Sequence, residues 1–352
     1  MPGDDDRSSD KRRPDHAEPD EIDDSDNEGG VRASLSRLPD KPHPAVERLE
    51  ELSFEILPEN FFVIVYGARR TGKTHAVSVL LEQIKDRFDF AYLFSNTALI
   101  HQGEKGELDF DMIVDDAKFQ GFDQDALQRI MDRQKAVKKH NNSCERKRDK
   151  KPNRTLIIFD DFVHEKEVRY SRIFTELPVL GRHYDLSVIC LTQGYSQVAS
   201  GGLNKATRQN SDLVMTFLPR NLNDLERISE WYLTKEKVEN MWFTRSVCQE
   251  QHRLLAIDLT QPHETEFENY AYKYIAPEQV PRYELGRVQW KLLKEEIKRQ
   301  KQAALAAKVE NERAFFLGLG EMEKRQRIGE ATGLPNKRAR LSLFDAVCVM
   351  GN

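Results

Sequence analysis

The stretch FFVIVYGARRTGKT, residues 61 to 74, constrains the fold of this chain more than any other segment. Six apolar residues run directly into a glycine, and the loop then matches the pattern G-x-x-x-x-G-K-[ST]. A helix-forming run, HAVSVLLEQIKDRF, follows from residue 75. A buried strand, a glycine-rich loop and a helix in this order form a phosphate-binding site, whereas a glycine-rich turn without function requires neither flank. The sequence predicts that a nucleotide is held by Gly67, Ala68, Arg69, Arg70, Thr71, Gly72, Lys73 and Thr74.

The residue types in this loop suit a nucleoside triphosphate. The glycines allow a tight turn in which successive backbone N–H groups face a phosphate without an intervening Cβ. The positive end of the dipole of the following helix also attracts the phosphate. Lys73 is predicted to lie between the β- and γ-phosphates, and the hydroxyl of Thr74 is predicted to coordinate Mg²⁺. ATP and Mg²⁺ are therefore the predicted cofactors.

Apolar runs and helical stretches alternate along the chain after this loop. Buried strands are predicted at 90–95, 155–161, 186–193 and 210–217, helices at 168–183 and 222–243, and two strands around a polar turn at 244–259. Such alternation is typical of an α/β fold in which helices cover both faces of a mostly parallel sheet. Together with the loop, it predicts a P-loop NTPase domain over residues 45–284, entered through a short helix at 45–52.

Charge is unevenly distributed along the sequence. The net charge is −5, but the first 30 residues alone carry 12 acidic and four basic side chains, so the rest of the chain is mildly basic. Residues 1–44 are also poor in apolar residues and rich in Asp, Pro, Ser and Gly, and such a segment cannot bury enough surface to offset the entropy of ordering it. We expect a disordered acidic tail.

Residues 97–153 interrupt the alternation and are predicted to be an insertion. They contain an amphipathic helix at 123–137, whose Leu127, Ile130 and Met131 are spaced as packing contacts. The insertion ends in a basic run from Lys138 to Arg154, with eight basic and two acidic residues. This run either contacts nucleic acid phosphates or is a solvated loop.

Residues 285–352 form the third predicted region, a charged helical arm followed by a flexible basic end. The arm, to about residue 330, packs on the body or on a neighbouring subunit through apolar residues at helical spacing: Leu293, Ile297, Leu305, Val309 and Phe316. The end carries PNKRAR, residues 335–340, which is a nuclear localisation signal, a phosphate-contacting patch or a segment without either role.

Composition excludes several classes of protein. No apolar run approaches the ~20 residues of a membrane-spanning helix, and no secretory segment is recognisable, so a soluble intracellular protein is expected. The four cysteines, Cys144, Cys190, Cys248 and Cys348, are far apart and form no C-x-x-C pair. Neither a zinc site nor a disulfide framework is predicted.

Polar residues at the ends of two predicted strands are the candidates for the chemistry. TLIIFDD places Asp160 and Asp161 at the carboxyl edge of the sheet, where ligands of α/β proteins bind. Asp160 is predicted to hold Mg²⁺ and Asp161 to orient or deprotonate the attacking water, although paired acids also cap helices. Gln193 ends the next strand, where its amide either bridges the γ-phosphate and the water or makes a purely structural hydrogen bond.

Taken in order, the loop GARRTGKT, the strand TLIIFDDF, the strand end LTQ and the segment ATRQNSDLVMTF resemble the FtsK/HerA superfamily of P-loop ATPases. Within it, the chain is most similar to the poxvirus-type genome-packaging ATPase of large DNA viruses, over about residues 55–260. The resemblance implies a ring-shaped homo-oligomer that binds ATP between subunits and pulls double-stranded DNA into a preformed capsid. A capsid or portal partner is implied as well, at an assembly site in the host cytoplasm or nucleus or in association with the virion.

The resemblance also assigns roles to individual residues. It implies that Lys73 and Thr74 contact phosphate and Mg²⁺, that Asp160 holds Mg²⁺ and that Gln193 senses the nucleotide. Asp161 becomes the catalytic base in place of the Glu found in many members, with Glu165 close enough in sequence to take that role instead. Arg208 is implied to be an arginine finger, which reaches the γ-phosphate of the ATP bound by the adjoining subunit.

Two other classes of function remain open from the residues alone. A P-loop kinase or nucleotide switch would use the same loop, but no arginine-rich lid or acceptor pocket is recognisable. An ATP-binding scaffold that does not hydrolyse would need neither the paired acids nor Gln193. DNA-dependent ATP turnover distinguishes both alternatives from a packaging motor.

Overall fold

The protein, represented by a computed structural model, is organised around one sheet that contains eight strands among the described residues. The structure describes residues 38–97, 110–161, 168, 171–193, 203–262 and 266–316. The strands are β1 Phe62–Tyr66, β2 Phe90–Ser95, β3 Lys118–Gln120, β4 Thr155–Asp160, β5 Leu186–Thr192, β6 Leu213–Thr216, β7 Arg253–Asp258 and β8 Ala271–Ile275.

The strand order explains how the sheet brings polar strand ends together. The order is β3-β2-β4-β5-β1-β6-β7-β8, with β1 to β6 parallel and β7 and β8 antiparallel to their neighbours. The carboxyl ends of β2, β4, β5, β1 and β6 therefore lie side by side along one edge, which we call the carboxyl edge, and their starts lie along the opposite amino edge. The predicted α/β fold with a mostly parallel sheet is confirmed.

The central strands are apolar because both faces of the sheet are covered. Every residue of β1, β4 and β5 is buried, although successive side chains point to opposite faces. The helices among the described residues are α1 Ala45–Arg48, α2 Lys73–Ile84, α3 Gln124–Ser143, α4 Arg172–Leu180, α5 Lys205–Gln209, α6 Leu222–Tyr232, α7 Lys237–Val247 and α8 Arg287–Phe316. None of these helices combines the length and apolar character needed to cross a bilayer.

The interval predicted to be an insertion contributes directly to the core. Its strand β3 extends the sheet by pairing with β2, and this strand was not predicted. Helix α3 begins at an Asp123 cap and buries Leu127, Ile130 and Met131, as its spacing indicated. The apolar face of α3 is therefore structural. The basic run begins in the last turns of α3, at Lys138, and leads into the start of β4.

Two predictions near the end of the domain were wrong. Residues 222–243 form two helices, α6 and the first part of α7, because Leu233 adopts an extended backbone between them. Residues 244–259 do not form two strands: α7 continues to Val247, and only β7 follows. The β-branched residues of this stretch suggested a strand, but Phe243, Thr244 and Val247 lie on the buried face of a helix.

Several predicted features have different bounds or lie outside the described residues. The short entry helix covers only Ala45–Arg48, and α8 is described to Phe316. Residues 1–37 of the predicted tail and the basic end at 335–340 fall outside the described ranges, as does Glu165.

Candidate active site

The phosphate loop leaves the end of β1 between two neighbouring strands. The N–H of Gly67 donates to Thr192 O at 3.1 Å, and the N–H of Phe217 donates to Tyr66 O at 3.0 Å. A Cβ at Gly67 would lie 2.7 Å from Thr71 Oγ1 and 2.9 Å from the Phe217 ring. This position requires glycine because the loop folds back against its own start.

Backbone conformation sets the shape of the rest of the loop. Gly72 has φ +96° immediately before α2 begins at Lys73, and Arg70 has φ +66°. A left-handed backbone costs a non-glycine residue about 1 kcal/mol, so Arg70 holds a mildly strained turn. Arg69 and Arg70 are both exposed, and among the described residues neither guanidinium has a hydrogen bond or ion pair that would indicate a role.

Lys73 is the central cation of the site. Its side chain is 8% exposed, and Nζ donates to Gly67 O at 2.7 Å and to Ala68 O at 3.1 Å. Burial lowers the pKa of Lys73, while the nearby carboxylates of Asp161 and Asp160 act in the opposite direction. The ammonium group therefore lies inside the loop, within electrostatic reach of both predicted acids.

Asp160 ends β4 at the carboxyl edge, two strands from β1. Its side chain is 6% exposed, and Ser95 Oγ, from the end of β2, donates to Asp160 Oδ2 at 3.2 Å. A buried carboxylate that is oriented by a neighbouring strand is well suited to bind a hard cation. Ser95 was not predicted as a site residue, although it occupies the same position at a strand end as the acids do.

Asp161 and Gln193 form a direct pair at the same edge. The amide Nε2 of Gln193 donates to both carboxylate oxygens of Asp161, each at 2.5 Å. Asp161 has φ +59°, and its N–H donates to Leu191 O at 3.3 Å, which fixes the turn after β4. Asp161 is half-buried and Gln193 is exposed, so the pair faces outward from the sheet edge.

Two residues that the sequence analysis did not identify contact the phosphate loop. Arg220, in the segment after β6, donates from Nη2 to Arg69 O at 3.0 Å, and its charge contributes to the lowered pKa of Lys73. His252, just before β7, donates from Nδ1 to Thr71 O at 3.1 Å. Both side chains hold carbonyl groups of the phosphate loop in place through hydrogen bonds. Arg220 also adds a cation close to the predicted position of the ATP phosphates.

Arg208 lies apart from these residues. It belongs to α5, which precedes β6 and so lies at the amino edge, whereas the phosphate loop follows β1 at the carboxyl edge. Its guanidinium stacks 3.8 Å above the Trp231 ring, and Nη1 donates to Leu203 O at 2.6 Å. Arg208 lines a cavity of about 440 Å³ with Lys205, Gln209, Trp231, Tyr232 and Leu259.

The oxygen donors at the carboxyl edge fit Mg²⁺ in its usual nucleotide-bound form. Among the described residues there is no cluster of three or more His, Cys, Asp or Glu side chains that would form a complete protein cage. Mg²⁺ in NTPases instead takes one or two protein oxygens and completes its shell with water and phosphate. The Asp160 carboxylate and the Thr74 hydroxyl, in the first turn of α2, supply that kind of donor.

The family of the chain follows from the segment that contains these residues. A model of the poxvirus A32 protein family matches residues 51–258, more than half of the sequence. The chain belongs to the poxvirus A32 protein family. The matched segment includes the phosphate loop, both acids, Gln193 and Arg208, and the predicted resemblance to the poxvirus-type family is confirmed. Like the A32 family, the protein is an ATPase.

Solved structures with a similar fold include other ATPases. The genome packaging NTPase B204 from Sulfolobus turreted icosahedral virus 2, in complex with AMPPCP, is 17% identical, with a TM-score of 0.40, covering 63% of this chain and 100% of B204. The pCW3 conjugation coupling protein TcpA is 10% identical, with a TM-score of 0.41, and the match covers 62% of this chain and 60% of TcpA. EccC from Thermomonospora curvata is 10% identical, with a TM-score of 0.38, and the match covers 65% of this chain and 38% of EccC. No curated protein matches the chain. The assignment to the A32 family rests on the family model and the motifs.

Proposed function

We propose that this A32 family member is an ATP-driven translocase that packages double-stranded viral DNA into preformed capsids. The observation that carries the proposal is the gathering of Lys73, Asp160 and the Asp161–Gln193 pair at one edge of the sheet. Phosphoanhydride hydrolysis needs charge neutralisation and an aligned water more than covalent help, and these side chains supply both. A kinase or a non-hydrolysing scaffold is not favoured by the family.

The phosphate loop is proposed to bind ATP through its backbone N–H groups and Lys73. The ammonium group, held by two loop carbonyls, is expected to exchange these for β- and γ-phosphate oxygens. Mg²⁺, held by Thr74 and Asp160, would neutralise phosphate charge in the bound complex. Arg220 is proposed to hold the loop in its binding shape through the Arg69 carbonyl.

The Asp161–Gln193 pair is proposed to position the attacking water. Asp161 accepts a proton from that water as the water oxygen bonds to the γ-phosphorus and the bond between the γ-phosphorus and the β–γ bridging oxygen breaks, so that ADP leaves. The Gln193 amide holds the Asp161 carboxylate in place during this step. Because Gln193 directly follows β5, the strand beside the phosphate loop, a change at the γ-phosphate would alter its bond to Asp161. This is the proposed physical basis for sensing the nucleotide.

Arg208 is proposed to act on the ATP of an adjoining subunit. Within one subunit, β1 separates the amino edge from the carboxyl edge by about 13 Å, so Arg208 is poorly placed to serve its own site. A head-to-tail contact in a ring could bring the amino edge of one copy to the carboxyl edge of the next. Arg208 would then exchange its stacking on Trp231 for the γ-phosphate.

Mixing inactive subunits tests the trans role of Arg208. Lys73→Ala and Arg208→Ala proteins are each expected to be inactive, whereas co-assembled mixtures should recover part of the ATP turnover. In a random equal mixture about a quarter of head-to-tail interfaces regain both groups. Absence of recovery at every ratio, with mixed oligomers confirmed by differently tagged subunits, would contradict the proposal.

Partners follow from the same proposal. Packaging implies duplex DNA and an oligomer of the chain, acting at a viral assembly site in infected cells. We further propose that the oligomer is a ring and that a capsid or portal component holds it.

DNA-dependent ATP turnover tests the proposed function. Duplex DNA is expected to stimulate hydrolysis several-fold, and the effect should weaken as salt rises because phosphate contacts release counterions. A matched concentration of heparin controls for a generic polyanion. Turnover that duplex DNA leaves unchanged at low salt would count against translocation and favour the alternatives.

A further inference from the structure

Helix α8 is attached firmly to the sheet at its first turns. The Gln289 side chain is 2% exposed, and its Oε1 accepts from Ala91 N at 2.8 Å. Gly286 has φ +79°, and a Cβ there would lie 2.9 Å from the same Ala91 nitrogen. The start of the helix is therefore fixed at the amino edge of β2.

A buried carboxylate links this attachment to the basic run. Asp89, 5% exposed, accepts from Arg287 Nε at 3.0 Å, while its other oxygen accepts from the Asn153 and Arg154 N–H groups at 3.2 Å. The base of α8 and the end of the basic run thus share one anchor. Both basic segments are thus attached at the amino edge of the sheet, opposite the phosphate loop.

Beyond Lys294, α8 leaves the body. Residues 297–310 are exposed apart from Ala307, and Ile297, Leu305 and Val309 are 41%, 64% and 43% exposed. The spacing of these apolar residues predicted that they pack on the body or on a neighbour, and their exposure shows that they do not pack on the described part of the body. Among the side chains of α8 that the structure describes, those of the first turns, such as Leu293, lie against the core.

Between residues 291 and 310, α8 carries its lysines and its glutamates on separate faces. Five exposed lysines recur at intervals of 3, 4, 3 and 7 residues: Lys291, Lys294, Lys298, Lys301 and Lys308. At 3.6 residues per turn these fall within a stripe about 100° wide, which we call the lysine face. Glu295, Glu296 and Glu310 fall outside that stripe, and Arg299, also outside it, lies 3.8 Å from Glu296.

Most of the lysine face is not neutralised within the subunit. Lys294 pairs with Glu284 at 2.7 Å, but among the described side chains no carboxylate lies within 4.0 Å of Lys291, Lys298, Lys301 or Lys308. From Lys291 to Lys308 the face extends about 26 Å at 1.5 Å per residue. Four like charges aligned on one side of a rigid helix form a surface suited to an extended polyanion.

We propose that the lysine face of α8 contacts the phosphate backbone of duplex DNA. The inference rests on the proposed function and names a surface for its DNA partner. Duplex DNA carries one negative charge per about 1.7 Å of axis, so a straight row of lysines meets phosphates without reading sequence, as packaging of a whole genome requires. DNA binding would be coupled to the sheet through the Asp89 anchor.

Packing of α8 against a helix of another copy of the chain explains the exposed residues of the lysine face less well than DNA binding does. Leu305 and Val309 lie within the lysine face, but Leu305 is flanked by Lys301 and Lys308. Packing it against an apolar partner would bury both ammonium groups, which is costly without paired carboxylates. Three exposed apolar residues over this length also fall short of a continuous heptad pattern.

Paired substitutions in the full-length protein test the proposal. Binding of a duplex of about 30 base pairs is measured by fluorescence anisotropy over a range of salt concentrations. Lys298→Gln/Lys301→Gln is expected to lower the slope of log affinity against log salt by about 2. Turnover without DNA should stay at the wild-type level, and DNA stimulation should fall. The matched control, Lys147→Gln/Lys150→Gln, removes the same charge from the exposed basic run.

The outcomes separate this inference from the proposed function. If the Lys298/Lys301 variant binds DNA like wild type, or if both variants lose binding equally, the assignment to α8 is wrong while DNA-stimulated turnover of the wild type still stands. If the wild type neither binds duplex nor responds to it, the proposed function fails as well. Loss of binding to phosphatidylserine vesicles with unchanged DNA binding would assign the face to a membrane surface instead.

Discussion

Replacing Lys73 with alanine is expected to reduce ATP turnover by at least about a hundredfold to a thousandfold, the effect of removing one preorganised charge from a site that stabilises developing negative charge. The side chain is nearly buried, and Arg220 is the cation among the described residues whose charge acts on it. Arg220 bonds to the outer carbonyl of Arg69 and cannot replace Lys73 without releasing it. Steady-state phosphate release measures the loss.

The control for this variant is Lys85→Ala, directly after the other end of α2. Lys85 forms a half-buried surface pair with Glu82, away from the phosphate loop, and surface ion pairs contribute little to stability. Its turnover should match that of the wild type, while thermal unfolding shows whether Lys73→Ala remains folded. Folded Lys73→Ala protein that retains more than half of the wild-type turnover would exclude the loop as the hydrolytic site.

Asp161→Asn should abolish most hydrolysis but preserve ATP binding. Removing a general base typically costs about a hundredfold to ten-thousandfold in rate. Asn tolerates the left-handed backbone at this position, and its side-chain oxygen can still accept from Gln193, so the exchange removes the proton acceptor and little else. Turnover is compared with binding of a fluorescent ATP analogue.

Asp185→Asn provides a closely matched control. Asp185 also has a left-handed backbone, φ +55°, but lies at the amino edge, where it pairs with Lys138. This variant is expected to hydrolyse ATP normally with at most a small loss of stability. If Asp161→Asn behaves in the same way, Asp161 is not the base, and Glu165 becomes the residue to test.

The sequence was most informative where a strand is buried on both faces. β1, β2, β4, β5 and β6 are continuous apolar runs, and each was predicted within a few residues. β3 and β8 were missed because they lie at the two edges of the sheet and mix apolar residues with Lys and Gln. The stretch before β7 was misassigned because β-branched residues on the buried face of a helix resemble a strand.

The predicted site residues that the structure brings together are likewise those that follow buried strands. Asp160, Asp161 and Gln193 directly follow apolar runs, and parallel pairing is sufficient to bring them together. Arg220 is four residues beyond β6, so its contact with the loop depends on how the chain turns back. His252 precedes an antiparallel strand, and only the correct topology places a residue at the start of β7 on the carboxyl edge.

ATP-driven displacement of a third strand from duplex DNA is the most direct test of the central claim. A motor that moves along duplex should strip a triplex-forming oligonucleotide when ATP is hydrolysed. It should fail to do so with a non-hydrolysable analogue and in the Lys73→Ala and Asp161→Asn proteins. Hydrolysis that duplex DNA stimulates without any displacement would contradict the claim that ATP turnover at this sheet edge moves DNA.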